Sequence, residues 1–322
     1  MQLKEWFGGS VIHIHTRLEN KSAEYQPGEE IQFTLSGLSE YARRFSGNGY
    51  MVVVDTDHAA LSIHPNWALD QRQEYFFPQN TEKTVKQISE DVRTRAKKIR
   101  ESESSHVLTG TETDILNSSG MLDVNNDVLS SLDLVIASFH YYPWAANNFV
   151  GGEKKHIDLK EILMAYERVA ANPHVDVIGH PTTYIQKYNR DVALLPEWEP
   201  LFRIMKMAGT AFELNLSTLL RIKEPEEFDL KVIGLAAEHG VNFLLGLDLH
   251  NLKMFGSELK SDFVIDEQSA ARAFDKNVGK ANMNFFYSLK GLIKLLKANG
   301  LTREMIVNSS DEKFNKWLES RK

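Results

Sequence analysis

Short apolar runs rich in β-branched residues recur along the chain, and between them the apolar positions fall at helical spacing. Seven runs read as strands: Val11–Thr16, Met51–Thr56, His106–Glu112, Leu134–His140, Val175–His180, Ala211–Asn215 and Asn242–His250. Thr81–Arg100 places Val85, Ile88, Val92, Ala96 and Ile99 on one helical face. Asp158–Ala171 does the same with Leu159, Ile162, Leu163, Tyr166 and Val169. Asp158 followed by Glu161 has the form of a capping box, and Asn172-Pro173 stops that helix. Further helices are expected near Ser269–Phe274, Asn284–Ala298 and Ser310–Lys322, and long loops over Glu19–Ser36 and Ala59–Gln79. Strands alternating with helices, without a break in composition, predict an α/β fold: a single barrel-like domain of parallel strands over residues 1–322.

Composition narrows the chemistry. Hydrophobic residues make up 42% and charged residues 25% of the 322, as in a globular protein with a sizeable core. No apolar run approaches the roughly 18 residues of a membrane span, and the N-terminus lacks the pattern of a signal peptide. The expectation is a cytoplasmic protein. The absence of cysteine excludes disulfides, thiolate metal sites and a Cys nucleophile. The net charge of −7 opposes a polyanionic partner such as duplex nucleic acid, though a local metal cluster can still bind a small phosphorylated substrate.

The histidines carry the candidate chemistry. Of the 11, six fall at or just past the C-terminal end of an expected strand: His13, His15, His58, His140, His180 and His250. In (β/α) barrels that end holds the active site. His13 and His15 stand at i and i+2, so on a regular strand both project from one face. Val54-Asp55-Thr56-Asp57-His58 runs from apolar residues into acid, hydroxyl and imidazole, with Asp57 placed to orient His58. Glu112, in Gly110-Thr111-Glu112, is the natural bridging ligand, because a carboxylate can join two cations and an imidazole cannot. Asp248 and His250 repeat the i, i+2 pairing on the last strand. Singly, each is more often an ordinary loop or strand-end residue; together they form a mixture that suits Zn²⁺, Mn²⁺ or Fe²⁺ better than Ca²⁺ or Mg²⁺. His106, His156, His174 and His239 begin strands or helices or precede them, and so belong elsewhere; His64 lies in a long loop.

The order His-x-His, Thr-Asp-His, Gly-x-Glu, Ser-x-His, Gly-His-Pro, Asp-x-His, from Val11 to His250, resembles the PHP (polymerase and histidinol phosphatase) family. It is similar to both the stand-alone phosphatases and the PHP modules attached to family X polymerases, with Asn172–Pro181 especially alike. Phe212-Glu213-Leu214-Asn215 and Glu304-Met305-Ile306-Val307-Asn308 are weaker echoes. The resemblance implies a distorted (β/α)7 barrel that binds two or three divalent metal ions. It further implies that His13, His15, Glu112 and Asp248 hold a first metal, that Glu112 bridges to a second held by His140 and His180, and that His58 and His250 serve a third. It implies hydrolysis of a phosphate ester by a metal-activated hydroxide formed near Glu112 and Asp248. The family's further ligand after the first motif is replaced here by Thr16-Arg17-Leu18-Glu19-Asn20-Lys21, where Glu19 can substitute. If it does not, the third site is weak or empty.

Arg17, directly after the first ligand strand, is the leading candidate to bind the phosphate, followed by Lys187, Arg190 and Arg221. Tyr141, Tyr142 and Trp144 offer rings for stacking. The substrate expected is a small phosphomonoester of the histidinol phosphate or nucleotide kind. Three alternatives stay open: an amidohydrolase-like enzyme using a similar metal cluster, a PHP-like metal-binding module without catalysis, and a nuclease acting on DNA ends, which shares the chemistry but is opposed by the acidic balance. Oligomeric state is not encoded in any readable feature.

Overall fold

The computed structural model describes residues 10–14, 52–56, 59, 81–101, 107–140, 158–183, 185, 189–221, 227–246, 248 and 291–322. Seven strands, β1 (Ser10–Ile14), β2 (Val52–Asp55), β3 (Val107–Asp114), β4 (Leu134–Ser138), β5 (Val177–Gly179), β6 (Ala211–Asn215) and β7 (Asn242–Gly246), form one sheet in sequential order. Every adjacent pair is parallel. The edge strands β1 and β7 come within 8 Å of each other between Cα atoms.

Helices cross between strands because parallel neighbours need a long return. Helix α1 (Thr81–Glu101) buries Val85, Ile88, Val92, Ala96 and Ile99, the face that spacing predicts. Helix α2 is one turn (Asn126–Leu129). In α3 (Leu159–Ala170) the Asp158 side chain accepts from the Lys160 backbone N–H at 3.4 Å. A 3₁₀ stretch, Val192–Trp198, leads into α4 (Glu199–Ala208), which carries Pro200 in its first turn and ends at Gly209, whose φ of 78° is left-handed. Helices α5 (Leu216–Arg221) and α6 (Glu227–Glu238) follow, then a helical stretch over residues 291–298 and α7 (Asp311–Arg321), capped by the Ser310 hydroxyl. No helix among the described residues is long and apolar enough to cross a membrane.

The apolar core divides between the two faces of the sheet. The larger cluster packs helices α1, α3, α4 and α6 against outward strand residues such as Val135, Ile178, Phe212 and Phe243. The smaller joins Ile12, Leu134, Ile136, Val177, Ala211 and Leu244 from five strands. Phe314, Trp317 and Leu318 of α7 belong to this second cluster, so the last helix covers the inner apolar face. Trp317 Nε1 donates to the Gly209 carbonyl at 3.1 Å. Arg321 donates to the carbonyls of Ala208 and Val175 and to Asp176 Oδ1, all just before strands β5 and β6. Helix α7 therefore seals the N-terminal end of the sheet and leaves the C-terminal end for chemistry.

Candidate metal centre

Strand register explains where the polar residues gather. In-register neighbours on parallel strands project from the same face. Glu112 pairs with Ile136, Ile136 with Val177, and Val177 with Ala211. Ile136, Val177 and Ala211 all lie in the inner cluster, so Glu112 shares its face. Two residues further along, Asp114 pairs with Ser138 and Ser138 with Gly179. Glu213 pairs with Leu244, also of the inner cluster, and Asn215 with Gly246. On β3, β4 and β6 the inner side thus changes from apolar to polar as the strand nears its C-terminal end. The centre rests on an apolar floor.

Glu112 is 1% exposed, and its Oε1 is the point of convergence. His180 Nε2 lies 2.9 Å from it, His13 Nε2 3.5 Å and His140 Nε2 3.8 Å. Ser138 Oγ donates to the same oxygen at 2.6 Å. His13 Nε2 is 3.8 Å from Asp248 Oδ1. One atom each from Glu112, His140 and His180 falls within 4.8 Å of the others, a group that can hold a metal ion. The donor set fits a divalent cation: imidazole nitrogens and carboxylate oxygens are its ordinary ligands, and its charge offsets that of carboxylates gathered in a buried site.

Around these donors stands a layer of orienting groups. His13 Nδ1 bonds Glu213 Oε1, and His140 Nδ1 bonds Asp114 Oδ1. Glu213 Oε2 accepts from the His180 backbone N–H at 2.6 Å and from Asn215 Nδ2 at 3.3 Å. The same Asn215 nitrogen donates to Asp248 Oδ2 at 3.0 Å. With Nδ1 occupied, His13 and His140 present Nε2 to the centre. Glu213 and Asp114 carry no site role in the sequence reading. The available signal was a carboxylate inside an apolar run (Ala211-Phe212-Glu213-Leu214) and one placed i+2 from Glu112.

Among the described residues, the only non-glycine residues with positive φ are His13 (61°), His180 (26°) and Asp248 (48°). All three are candidate ligands. Such backbone is costly for residues with a Cβ and is held only where surroundings enforce it. At His13 the ladder with β2 shifts register between Val11 and Ile14. Ile12 and His13, consecutive in sequence, consequently both reach the inner side, which the regular alternation assumed for the first strand does not allow. β1 is described over Ser10–Ile14 and β7 over Asn242–Gly246, the expected ends at Thr16 and His250 lie outside the described residues, and Asp248 is not in a strand.

Burial alone would lower the His13 pKa, but the carboxylates of Glu213, Glu112 and Asp248 outweigh it and raise the imidazole well above its usual range. His180 shows the same balance: burial opposes, the hydrogen bond and charge of Glu112 prevail, and the pKa rises. These carboxylates favour positive charge in the pocket, whether from protons or from a cation.

Of the residues singled out from sequence, His13, Glu112, His140, His180 and Asp248 come together here. His15, Arg17, Glu19, His58, Lys187, His250 and the rings of Tyr141, Tyr142 and Trp144 lie outside the described residues, as does the side chain of Arg221. Arg190, one of the further phosphate-binding candidates, is engaged within the fold. Its guanidinium lies 2.7 Å from both oxygens of Asp229, donates to the Thr182 carbonyl at 3.1 Å and stacks over Phe228 at 5.5 Å.

No family model matches the chain. The DNA polymerase/3'-5' exonuclease PolX of Bacillus subtilis (strain 168) is 33% identical over 156 residues, 48% of this chain and 24% of the polymerase. A probable phosphatase of Thermoanaerobacter sp. (strain X514) is 25% identical over 221 residues, 68% of this chain and 71% of that protein. A probable phosphatase of Caldanaerobacter subterraneus subsp. tengcongensis is 31% identical over 149 residues, 46% of this chain and 52% of that protein. The matched region is a minor part of the polymerase and the larger part of each phosphatase. The chain is thus similar both to proteins named as probable phosphatases and to a family X polymerase/exonuclease, the two kinds of protein that its motif order resembles.

Proposed function

We propose that this protein hydrolyses a small phosphomonoester with the help of two or three divalent ions, Zn²⁺, Mn²⁺ or Fe²⁺, in a distorted (β/α)7 barrel formed by the whole chain. The observation that carries the reading is the convergence of three imidazole nitrogens, from residues on or just past three different strands, on Glu112 Oε1. The probable-phosphatase relatives support the reaction class. Sequential parallel strands, with β1 near β7, support the barrel.

In this reading His13, His15, Glu112 and Asp248 would hold one ion, Glu112 with His140 and His180 a second, and His58, His250 and Glu19 a third. Bound ions would supply Lewis acidity and lower the pKa of coordinated water to about 7. The chain's own part is positional. Asp114 holds the His140 ring by Nδ1, Ser138 holds one oxygen of Glu112, and Asn215 holds one oxygen of Asp248. The apolar floor of Ile136, Val177 and Ala211 keeps water from entering beneath. Arg17 binds the phosphate, and the protein works in the cytoplasm.

A second reading follows from the polymerase/exonuclease relative: the same chemistry applied to a nucleic-acid end. The net charge of −7 opposes it. An amidohydrolase that uses a carbamylated lysine fits less well, since neither Val107–Asp114 nor Leu134–Ser138 contains lysine. The test is phosphate release from a panel of small phosphomonoesters, with and without added Mn²⁺, for the wild type and Asp248→Asn. Metal-dependent release lost in the variant supports the proposal. Metal uptake without release from any phosphomonoester overturns it, and release from a 3'-terminal nucleotide alone would favour the second reading.

A further inference from the structure

We infer that Glu213 is a positioning residue that sets candidate metal ligands from three parts of the chain at once, an inference that rests on the metal-centre reading above. Its two oxygens divide the task. Oε1 accepts from His13 Nδ1 and so fixes which nitrogen of that ring faces Glu112. Oε2 accepts from the backbone N–H of His180 at 2.6 Å, at the residue whose φ of 26° turns it out of the strand and toward Glu112. Through Asn215, held at 3.3 Å from Oε2, the contact extends to Asp248 Oδ2 at 3.0 Å. Two of the three left-handed residues are therefore bonded to this carboxylate and the third is one side chain away. The sheet leaves room for it: a Cβ on Gly246 would lie 1.9 Å from Glu213 Oε1.

Both oxygens of Glu213 act as acceptors, so the isosteric amide cannot replace it. In Glu213→Gln the NH₂ must face either the His180 N–H, setting donor against donor, or His13 Nδ1. In the second case the His13 ring changes tautomer and protonates Nε2, the nitrogen directed at the centre. Either outcome misplaces a ligand without opening a cavity.

The experiment titrates Mn²⁺ or Zn²⁺ into chelator-stripped protein against a competing chelator, for wild type, Glu213→Gln and Asp176→Asn, with far-UV circular dichroism and thermal melting on each. Asp176 is a buried carboxylate at the opposite end of the sheet, accepting from the Val135 N–H at 2.9 Å. It reports general destabilisation. The expected result is a loss of affinity of about 10- to 100-fold in Glu213→Gln with its circular dichroism intact, while Asp176→Asn lowers the melting temperature and keeps wild-type affinity. Equal affinity in wild type and Glu213→Gln overturns the positioning role and leaves the phosphoesterase reading standing. Equal losses in both variants also overturn it, because the effect would then be general. A wild type that binds no metal overturns the metal centre and this role together. Normal metal affinity, its loss in Glu213→Gln and no phosphoester turnover would overturn the function and keep the role.

Discussion

Gly246 is the seat of Glu213. A side chain at that position would bring its Cβ to 1.9 Å from Oε1 and 2.8 Å from Cδ of the glutamate. Gly246→Ala must therefore push the carboxylate away from His13 and His180. The fold should survive, at a cost of about 1–3 kcal/mol for the added methyl. Metal affinity should fall about 10- to 100-fold, like that of a protein lacking an orienting partner. Chelator competition combined with thermal melting separates the two effects. Wild-type affinity in Gly246→Ala would show that the carboxylate's position does not matter.

Asp114 and His140 form the second orienting pair. Asp114 extends β3 beyond Glu112 and meets His140 Nδ1. Asp114 is itself fixed, since its backbone N–H donates to Asp123 Oδ1 at 2.8 Å. Asp114→Ala should reduce turnover about 10- to 100-fold by freeing the His140 ring. Steady-state kinetics on a responsive phosphomonoester would check this; unchanged kcat would remove Asp114 from the centre.

Arg190 and Asp229 should matter for stability rather than for phosphate binding. Both are largely buried, with side-chain exposures of 15% and 4%. Breaking such a pair leaves a charge without compensation and typically costs about 3–5 kcal/mol. Asp229→Ala and Arg190→Ala should both lower the denaturant midpoint, with KM for a phosphomonoester unchanged in whichever variant remains folded. A large rise in KM for Arg190→Ala alone would restore its role as a phosphate ligand.

The histidines predict a pH dependence. His13 and His180 have raised pKa values in the fold, so the metal-free folded state binds protons more tightly than the unfolded chain does. That stabilisation is fully present below the ordinary value of 6.5 and is lost as pH rises through the folded values. Metal-free protein should therefore melt at lower temperature as pH climbs above 6.5. Cation affinity should increase over the same range, because the ion displaces those protons. Melting curves with and without Mn²⁺ across that range test both slopes. A metal-free melting temperature that rises with pH would contradict the charge balance assigned to the pocket.

Much of this arrangement is legible in the sequence because it follows from periodicity. Ala211–Asn215 has the bounds its apolar run predicts, and α1 and α3 bury the faces their spacing marks. Helices α4 and α6 were equally open to reading: Pro200 and Gly209 bracket α4, and Phe228, Val232, Ile233 and Ala236 line α6. Less accessible is anything that depends on distant contacts. Glu213, marked in the sequence only as part of a weaker echo, gains a role when folding sets it against His13, 200 residues away. The left-handed turn at His13 has no local signature, since neither glycine nor asparagine stands there. The engagement of Arg190 is hidden for the same reason: its partner Asp229 is 39 residues distant.

Whether Glu112 joins two cation sites is decided by metal content per chain, measured by elemental analysis of protein purified without chelator and then reconstituted, for wild type and Glu112→Gln. If Glu112 joins two cation sites, the wild type holds two or three equivalents and the variant loses at least one while remaining folded. A wild type that retains no stoichiometric metal after reconstitution, or a Glu112→Gln protein that keeps the full complement, would rule out a metal centre joined by Glu112.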